Sequence, residues 1–96
     1  MELIVDGKRY DTDKMQLLVD RQATQQHGTG VTLLGIWQTK DGRVLVVTDS
    51  VWARSSGSSY TVGVTGHFAG EEEVARLADR YDGPGGALWE LVPSAE

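Results

Sequence analysis

Two histidines are the residues of this chain best suited to metal or proton-transfer chemistry. A protein metal site needs ligands that converge on one ion, so His27 and His67 would have to be joined by carboxylates such as Asp11 or Asp49. No ligand spacing in the sequence places these residues together. We therefore expect two histidines in loops or at strand ends, and no metal site.

Nucleophilic and phosphate-binding patterns are also incomplete. Gly28-Thr29-Gly30 resembles part of a phosphate loop, but a strand follows where a helix N-terminus would be needed. No nucleophile elbow surrounds the serines at positions 55, 56, 58 and 59. No periodicity pairs the carboxylates that could act as acid and base, which are Asp41, Asp49 and Glu90. The sequence predicts no catalytic residue and no cofactor, and hence a non-enzymatic protein.

A basic stretch near the N-terminus suggests a different class of function. It contains Lys8, Arg9, Lys14 and Arg21, and Tyr10 adds an aromatic side chain. Nucleic-acid binding needs a basic face, but the formal net charge of the chain is −5 and four aspartates are interleaved with this stretch. A nucleic-acid interface is therefore the alternative prediction, and a solvated face of mixed charge is the simpler one.

Two other groups of residues have the composition of a protein-binding surface. Trp52, Arg54 and Tyr60 flank a connector of small residues, and these three residue types are enriched in interface hot spots. An acidic run at a predicted helix start could also face an arginine-rich partner, although the helix dipole already favours acid there. This run is Glu71, Glu72 and Glu73.

Length and composition favour one small domain. The 96 residues suffice for a single core, spanning 1–96 with a tail at 93–96. The absence of cysteine excludes disulfides and thiolate ligands. The first residues lack the features of a secretory signal and no run is long enough to span a membrane, so we expect a cytoplasmic protein.

A long hairpin over residues 31–53 organises the predicted sheet. Its strands are loaded with apolar residues on both faces. Gly35 indicates either a bulge or a place where Trp37 or Trp52 crosses the backbone. The other predicted strands are 3–5, 8–10, 60–64 and 87–92, with Trp89 and Leu91 of the last facing the core.

The hairpin turn has two competing interpretations. A two-residue turn at Asp41-Gly42 would place Lys40 opposite Arg43, which brings like charges together. A three-residue loop with Gly42 in the left-handed region would pair Thr39 with Arg43. The charge repulsion favours the three-residue loop.

Two helices are predicted. The first covers 13–23, with an N-cap at Asp11 or Thr12 and a narrow stripe formed by Met15, Leu18, Val19 and Gln22. The second covers 71–82, with one buried stripe of Val74, Leu77, Ala78 and Tyr81 and a stop at Gly83-Pro84. The expected fold is α+β: a two-layer domain with a mainly antiparallel sheet of four to five strands and both helices on one face.

The opening segment Gly7-Lys8-Arg9-Tyr10-Asp11-Thr12-Asp13-Lys14 resembles that of a loose group of small proteins encoded by bacterial plasmids, phages and integrated elements. Their hairpin turn is matched by Thr39-Lys40-Asp41-Gly42, and their acidic helix by 71–82. This resemblance implies a mobile-element context, in which small acidic proteins often bind and block a larger one. The region 52–60 and Met15 depart from the pattern.

These observations predict a small acidic protein-interaction module, an inhibitor of a larger host protein, that contacts its partner through Trp52, Arg54, Tyr60 and the acidic run. Exposed sheet edges at 60–64 or 87–92 suggest a homodimer as well. The alternative is a nucleic-acid-associated regulator that uses the basic stretch.

Overall fold

A computed structural model of the chain describes residues 1–28, 30–53 and 59–95, with only the backbone described at 27, 53 and 59–62. Among these residues the structure contains six strands and one helix, which is the α+β class that the sequence predicts. The strands are β1 (Glu2–Val5), β2 (Lys8–Asp11), β3 (Gln16–His27), β4 (Gly30–Gln38), β5 (Val44–Ala53) and β6 (Ser59–Ala69). The helix α1 (Glu71–Leu77) continues into a π-helical turn at Ala78–Asp82, and 3₁₀ turns lie at Thr12–Lys14 and Trp89–Leu91.

Antiparallel pairing builds two sheets. The larger has the order β3-β4-β5-β6, which is a simple meander, and the smaller is the β1-β2 hairpin. Asp6 and Gly7 both have positive φ, at 52° and 77°. That combination forms a tight two-residue turn whose twist matches the strands. The predicted N-terminal hairpin is therefore confirmed.

The central hairpin and its three-residue loop are also confirmed. The Thr39 N–H donates to the Arg43 carbonyl oxygen at 2.9 Å, so these two residues close the loop. Gly42 has a φ of 91°, the conformation that a glycine adopts without strain. Lys40 is thus kept away from the position opposite Arg43, as the repulsion argument required.

The predicted helix at 13–23 is wrong. A single 3₁₀ turn follows the Asp11 cap, whose carboxylate accepts the Asp13 N–H at 3.0 Å, and the chain then becomes strand β3. Three register shifts interrupt the pairing of β3 with β4. The apolar stripe at helical spacing is narrow, whereas pairing along β4 from Gln38 to Gly30 satisfies many backbone groups, and such tertiary interactions override weak helix propensity.

Different elements cover the two faces of the large sheet, so the expectation of two helices on one face is wrong. On one face, α1 and the following residues pack against the sheet. This cluster contains Val19, Ile36, Val44, Val74, Ala78 and Leu88. On the other face, the β1-β2 hairpin takes the place of the second helix; its cluster contains Leu3, Val5, Leu45 and Val47. The domain has three layers because the alternating side chains of β5 are apolar on both faces.

The predicted helix at 71–82 is confirmed, and the predicted strand at 87–92 is wrong. Gly83, with a φ of 71°, ends the helix. The Asp82 carboxylate then accepts the N–H groups of Leu88 and Trp89 at 2.7 and 3.0 Å, which caps a 3₁₀ turn. Leu88 is fully buried beneath the helix, while Trp89 and Leu91 are exposed rather than in the core. Residues 87–92 therefore offer no strand edge for a dimer.

No helix in the described ranges has both the length and the apolar character needed to cross a membrane.

Candidate functional sites

The large sheet extends well beyond the layers that cover it. We define its open end as the described parts of β3 after Val19, β4 before Leu34, β5 after Val47 and β6 before Val64. None of these residues belongs to either hydrophobic cluster of the described chain. The protein is consequently elongated, with extents of 54 × 28 × 18 Å. Neither the hairpin nor the helix covers the sheet there.

Apolar side chains continue along the central strands into the open end. Val31 and Leu33 of β4 and Val51 of β5 lie on the face that the hairpin covers further along, and each is half-buried. Leu34, at the boundary, lies on the helix-side face. A solvated sheet end would normally carry polar residues on an uncovered face. The open end therefore carries more apolar side chains than a solvated sheet face normally does.

Trp52 is the largest side chain at this end. Its indole lies directly over Gly30, where an added Cβ would sit 2.5 Å from the ring. Trp37 crosses Gly35 in the same way, which confirms one of the two roles predicted for that glycine. Trp52 is opposite Tyr60 in the β5–β6 register, so the backbone brings two of the three residues predicted at a partner site to adjacent positions on neighbouring strands. Arg54 lies outside the described residues.

Arg21, one of the four predicted nucleic-acid contacts, pairs with an acid instead. Its guanidinium lies 3.1 Å from the Asp49 carboxylate, and its aliphatic chain passes over Gly35 to reach it. The Asp49 side chain is only 5% exposed, and its Oδ1 has no hydrogen-bond partner in the described structure. Arg21 is therefore committed to a buried acid on the sheet and is separated from the other basic residues.

The acidic run lies far from Trp52. It follows Ala69, which pairs with Val44, so roughly 26 Å of strand separates it from Trp52 at about 3.3 Å per residue. Glu73 lies 2.7 Å from His67, while Glu71 and Glu72 are exposed. Trp52 and the acidic run therefore lie on one face of the sheet but at opposite ends.

Charge is strongly segregated along the chain. The first 70 residues carry seven acidic and seven basic side chains, and residues 71–96 carry seven acidic and two basic ones. The whole net charge of −5 thus belongs to the helix and the residues that follow it. The acidity is therefore confined to one region of the chain.

A cleft of about 390 Å³ lies between β2 with its 3₁₀ turn and the β4–β5 loop. We call it the basic cleft, because its lining includes Arg9, Lys14, Lys40 and Arg43. Arg9 and Lys14 belong to the predicted basic stretch. Lys8, which lies on strand β2 with Arg9, is exposed but does not line the cleft. The sequence did not indicate Lys40 and Arg43, because they join the cleft only through the packing of the hairpin on the sheet.

Arg43 is held rigidly in this cleft. Its guanidinium lies 4.2 Å from the centre of the Phe68 ring, and Tyr10 packs edge-on against Phe68 at 5.2 Å. The Arg43 Nε donates to the Asp41 carboxylate at 3.0 Å. The Tyr10 hydroxyl and then Asp41 raise the pKa of Arg43, so it is cationic at every physiological pH.

Hydrogen bonds lower the pKa of two carboxyls around the cleft. The Thr39 hydroxyl, with help from Arg43, lowers the pKa of Asp41. The Asp13 backbone N–H lowers the pKa of Asp11. Both groups are therefore anionic at neutral pH and are already engaged as hydrogen-bond acceptors.

The described residues contain no cluster of three histidine, cysteine or carboxylate side chains that could hold a metal. Thr29 and the serines at 55, 56 and 58 lie outside the described residues, as does the side chain of His27. Comparison of the chain with protein-family models, with curated proteins and with solved structures found no match.

Proposed function

We propose that this chain is a non-enzymatic protein-interaction module that binds a larger protein through the open end of its sheet. The observation that carries the proposal is the projection of a partly apolar sheet end beyond both covering layers. Val31, Leu33 and Val51 are partly exposed on one face, and Trp52 lies on the other. Apolar surface that the fold leaves in water is the usual mark of an interaction site.

The geometry favours a protein partner over a small molecule at this end. The surface is the broad end of a sheet, whereas small-molecule sites are concave. The two outer strands, β3 and β6, also have exposed backbone edges. The β6 edge is the more regular, because the pairing of β6 has one register irregularity and that of β3 has three. An extended segment of a partner could pair along such an edge, while Trp52 supplies a large, rigid anchor.

Charge defines the partner further. The acidic helix covers the same face of the sheet that carries Trp52, so a partner that spans this face meets an apolar end and an anionic end. A partner with an apolar contact patch flanked by lysine and arginine would be complementary. The resemblance to mobile-element proteins leads us to propose that binding blocks the function of that partner.

Affinity capture followed by direct binding tests the proposal. A tagged chain would be used on nuclease-treated lysate of the host, and the captured protein would then be purified and titrated by calorimetry. Trp52→Ala should weaken binding by about 30-fold or more, since truncating a hot-spot residue costs about 2 kcal/mol or more. Leu33→Lys should weaken it as well without removing the tryptophan.

Trp89→Ala is the matched control, because Trp89 is 37% exposed but lies beside the helix and outside the open end. Its affinity should stay within about twofold of the wild type, as for substitutions outside a hot spot. Equal losses in Trp52→Ala and Trp89→Ala would refute the open end as the contact. Thermal unfolding of each variant separates loss of binding from loss of fold.

A nucleic-acid-associated regulator is the second candidate function. Of the four residues predicted for it, only Arg9 and Lys14 converge, while Arg21 is paired with Asp49. Lys40 and Arg43 partly compensate by joining the same cleft. A mobility-shift series should then show complexes that weaken steeply with salt, and the absence of any shift at low salt would exclude this function.

A further inference from the structure

We propose that the basic cleft is a binding site for the phosphate group of a small, phosphorylated molecule. This site is separate from the open end and does not depend on the protein-interaction function. It combines a concave surface, an excess of cations and a rigidly placed guanidinium.

The charge balance of the cleft favours a dianion. Its lining carries four cations, Arg9, Lys14, Lys40 and Arg43, and two acids, Glu2 and Asp11. Asp11 already accepts a backbone N–H, and Glu2 lies 4.0 Å from Arg9. Lys14 and Lys40 have no ion pair among the described residues. The lining therefore has an excess of two cations, one of which, Arg43, is paired with Asp41, in a chain whose overall charge is negative.

Arg43 supplies a prepared phosphate contact. Its Nε is used by Asp41, and its ring contact with Phe68 fixes the plane of the guanidinium. The N–H groups that neither Asp41 nor the Tyr10 hydroxyl uses remain as donors, and the planar fork of arginine suits phosphate oxygens. Ordering this side chain in advance lowers the entropic cost of binding.

The shape of the surface favours a small ligand over a nucleic-acid strand. A volume of about 390 Å³ is within the range of small-molecule sites, roughly 300–1,000 Å³. A second depression of about 470 Å³ adjoins it, shares Lys14 and Lys40, and is also lined by Gln16 and Gln38. The two amides could bind hydroxyl groups of the ligand body.

Titration with inorganic phosphate, pyrophosphate and glycerol 3-phosphate tests the site, with amide NMR shifts as the readout. We expect saturable shifts at residues around the cleft, and the double variant Lys14→Ala/Lys40→Ala should weaken pyrophosphate binding about tenfold or more, since it loses two charge-assisted contacts. The control Arg76→Ala/Arg80→Ala removes two helix cations outside the cleft and should leave the affinity unchanged.

Three outcomes would overturn the proposal. The first is no saturable shift at millimolar ligand. The second is equal weakening in the lysine variant and in the arginine control, which would indicate a general charge effect. The third is displacement of pyrophosphate by a short oligonucleotide whose binding free energy per phosphate group is larger. That result would indicate that the cleft binds nucleic acid instead. The lysines replaced are exposed, and retained NMR dispersion would confirm that the variants are folded.

Discussion

The ion pair between Arg21 and Asp49 should contribute asymmetrically to stability. We predict that Arg21→Met destabilises the protein strongly, that Asp49→Val has little effect, and that the double variant recovers most of the stability lost in Arg21→Met. The reason is the difference in exposure of the two side chains, 47% for Arg21 and 5% for Asp49.

The magnitudes follow from what each variant leaves behind. Arg21→Met leaves a buried carboxylate without its counter-ion, which costs about 3–5 kcal/mol in a fully buried pair and, with Arg21 half-exposed, about 2–3 kcal/mol here. Asp49→Val removes both the buried charge and an Oδ1 without a hydrogen-bond partner in the described structure. The freed Arg21 can turn into water, so we expect a change of about 1 kcal/mol or less.

Urea unfolding followed by circular dichroism measures all three variants against the wild type. The slope with denaturant should be constant, so that the shifts in midpoint report stability alone. For Arg21→Met the loss corresponds to a melting temperature lower by about 10–20 °C in a domain of this size. The reasoning would be refuted if Asp49→Val were as damaging as Arg21→Met, or if the double variant were the least stable of the three.

Two further predictions concern the core and the hairpin loop. Leu88→Ala should cost about 2–5 kcal/mol, because Leu88 is fully buried beneath the helix; a thermal-melt loss below about 1 kcal/mol would show that the segment after Gly83 adds little to the core. Asp41→Asn tests the pH dependence of the loop. Because hydrogen bonds from Thr39 and then Arg43 lower the pKa of Asp41 below its ordinary 3.8, its contribution is present above that value and is lost as pH falls through the lower folded value. The wild type should therefore melt higher than Asp41→Asn at pH 7, with the gap closing as the pH falls well below 3.8; a gap that persists in strong acid would contradict this origin.

Local chemistry determined the parts of the fold that the sequence predicted correctly. The loop at Lys40, Asp41 and Gly42 was predictable because the alternative brings two like charges together. The helix at 71–82 was predictable because four residues form one buried stripe and Gly83 ends it. In each case the deciding interaction joins residues that are close in the chain.

Tertiary structure decided the parts that the sequence predicted wrongly. Residues 16–23 have side chains suited to either structure, and pairing with β4 selects the strand. Residues 87–92 are mostly apolar, as in a buried strand, but the Asp82 carboxylate accepts the N–H groups of Leu88 and Trp89, and Leu88 lies under the helix. These contacts connect elements whose relative positions no local pattern specifies.

The candidate sites show the same division. The residue types of a contact surface, Trp52 above all, were visible in the sequence because composition alone marks them. The open end was not, because it depends on where the covering layers stop. The basic cleft joins Lys14 with Lys40 and Arg43 only because the N-terminal hairpin packs against the sheet. Arg21 leaves the basic group because it pairs with Asp49 on the sheet. Sequence determined which charges and rings are present, and packing in three dimensions decided which of them meet.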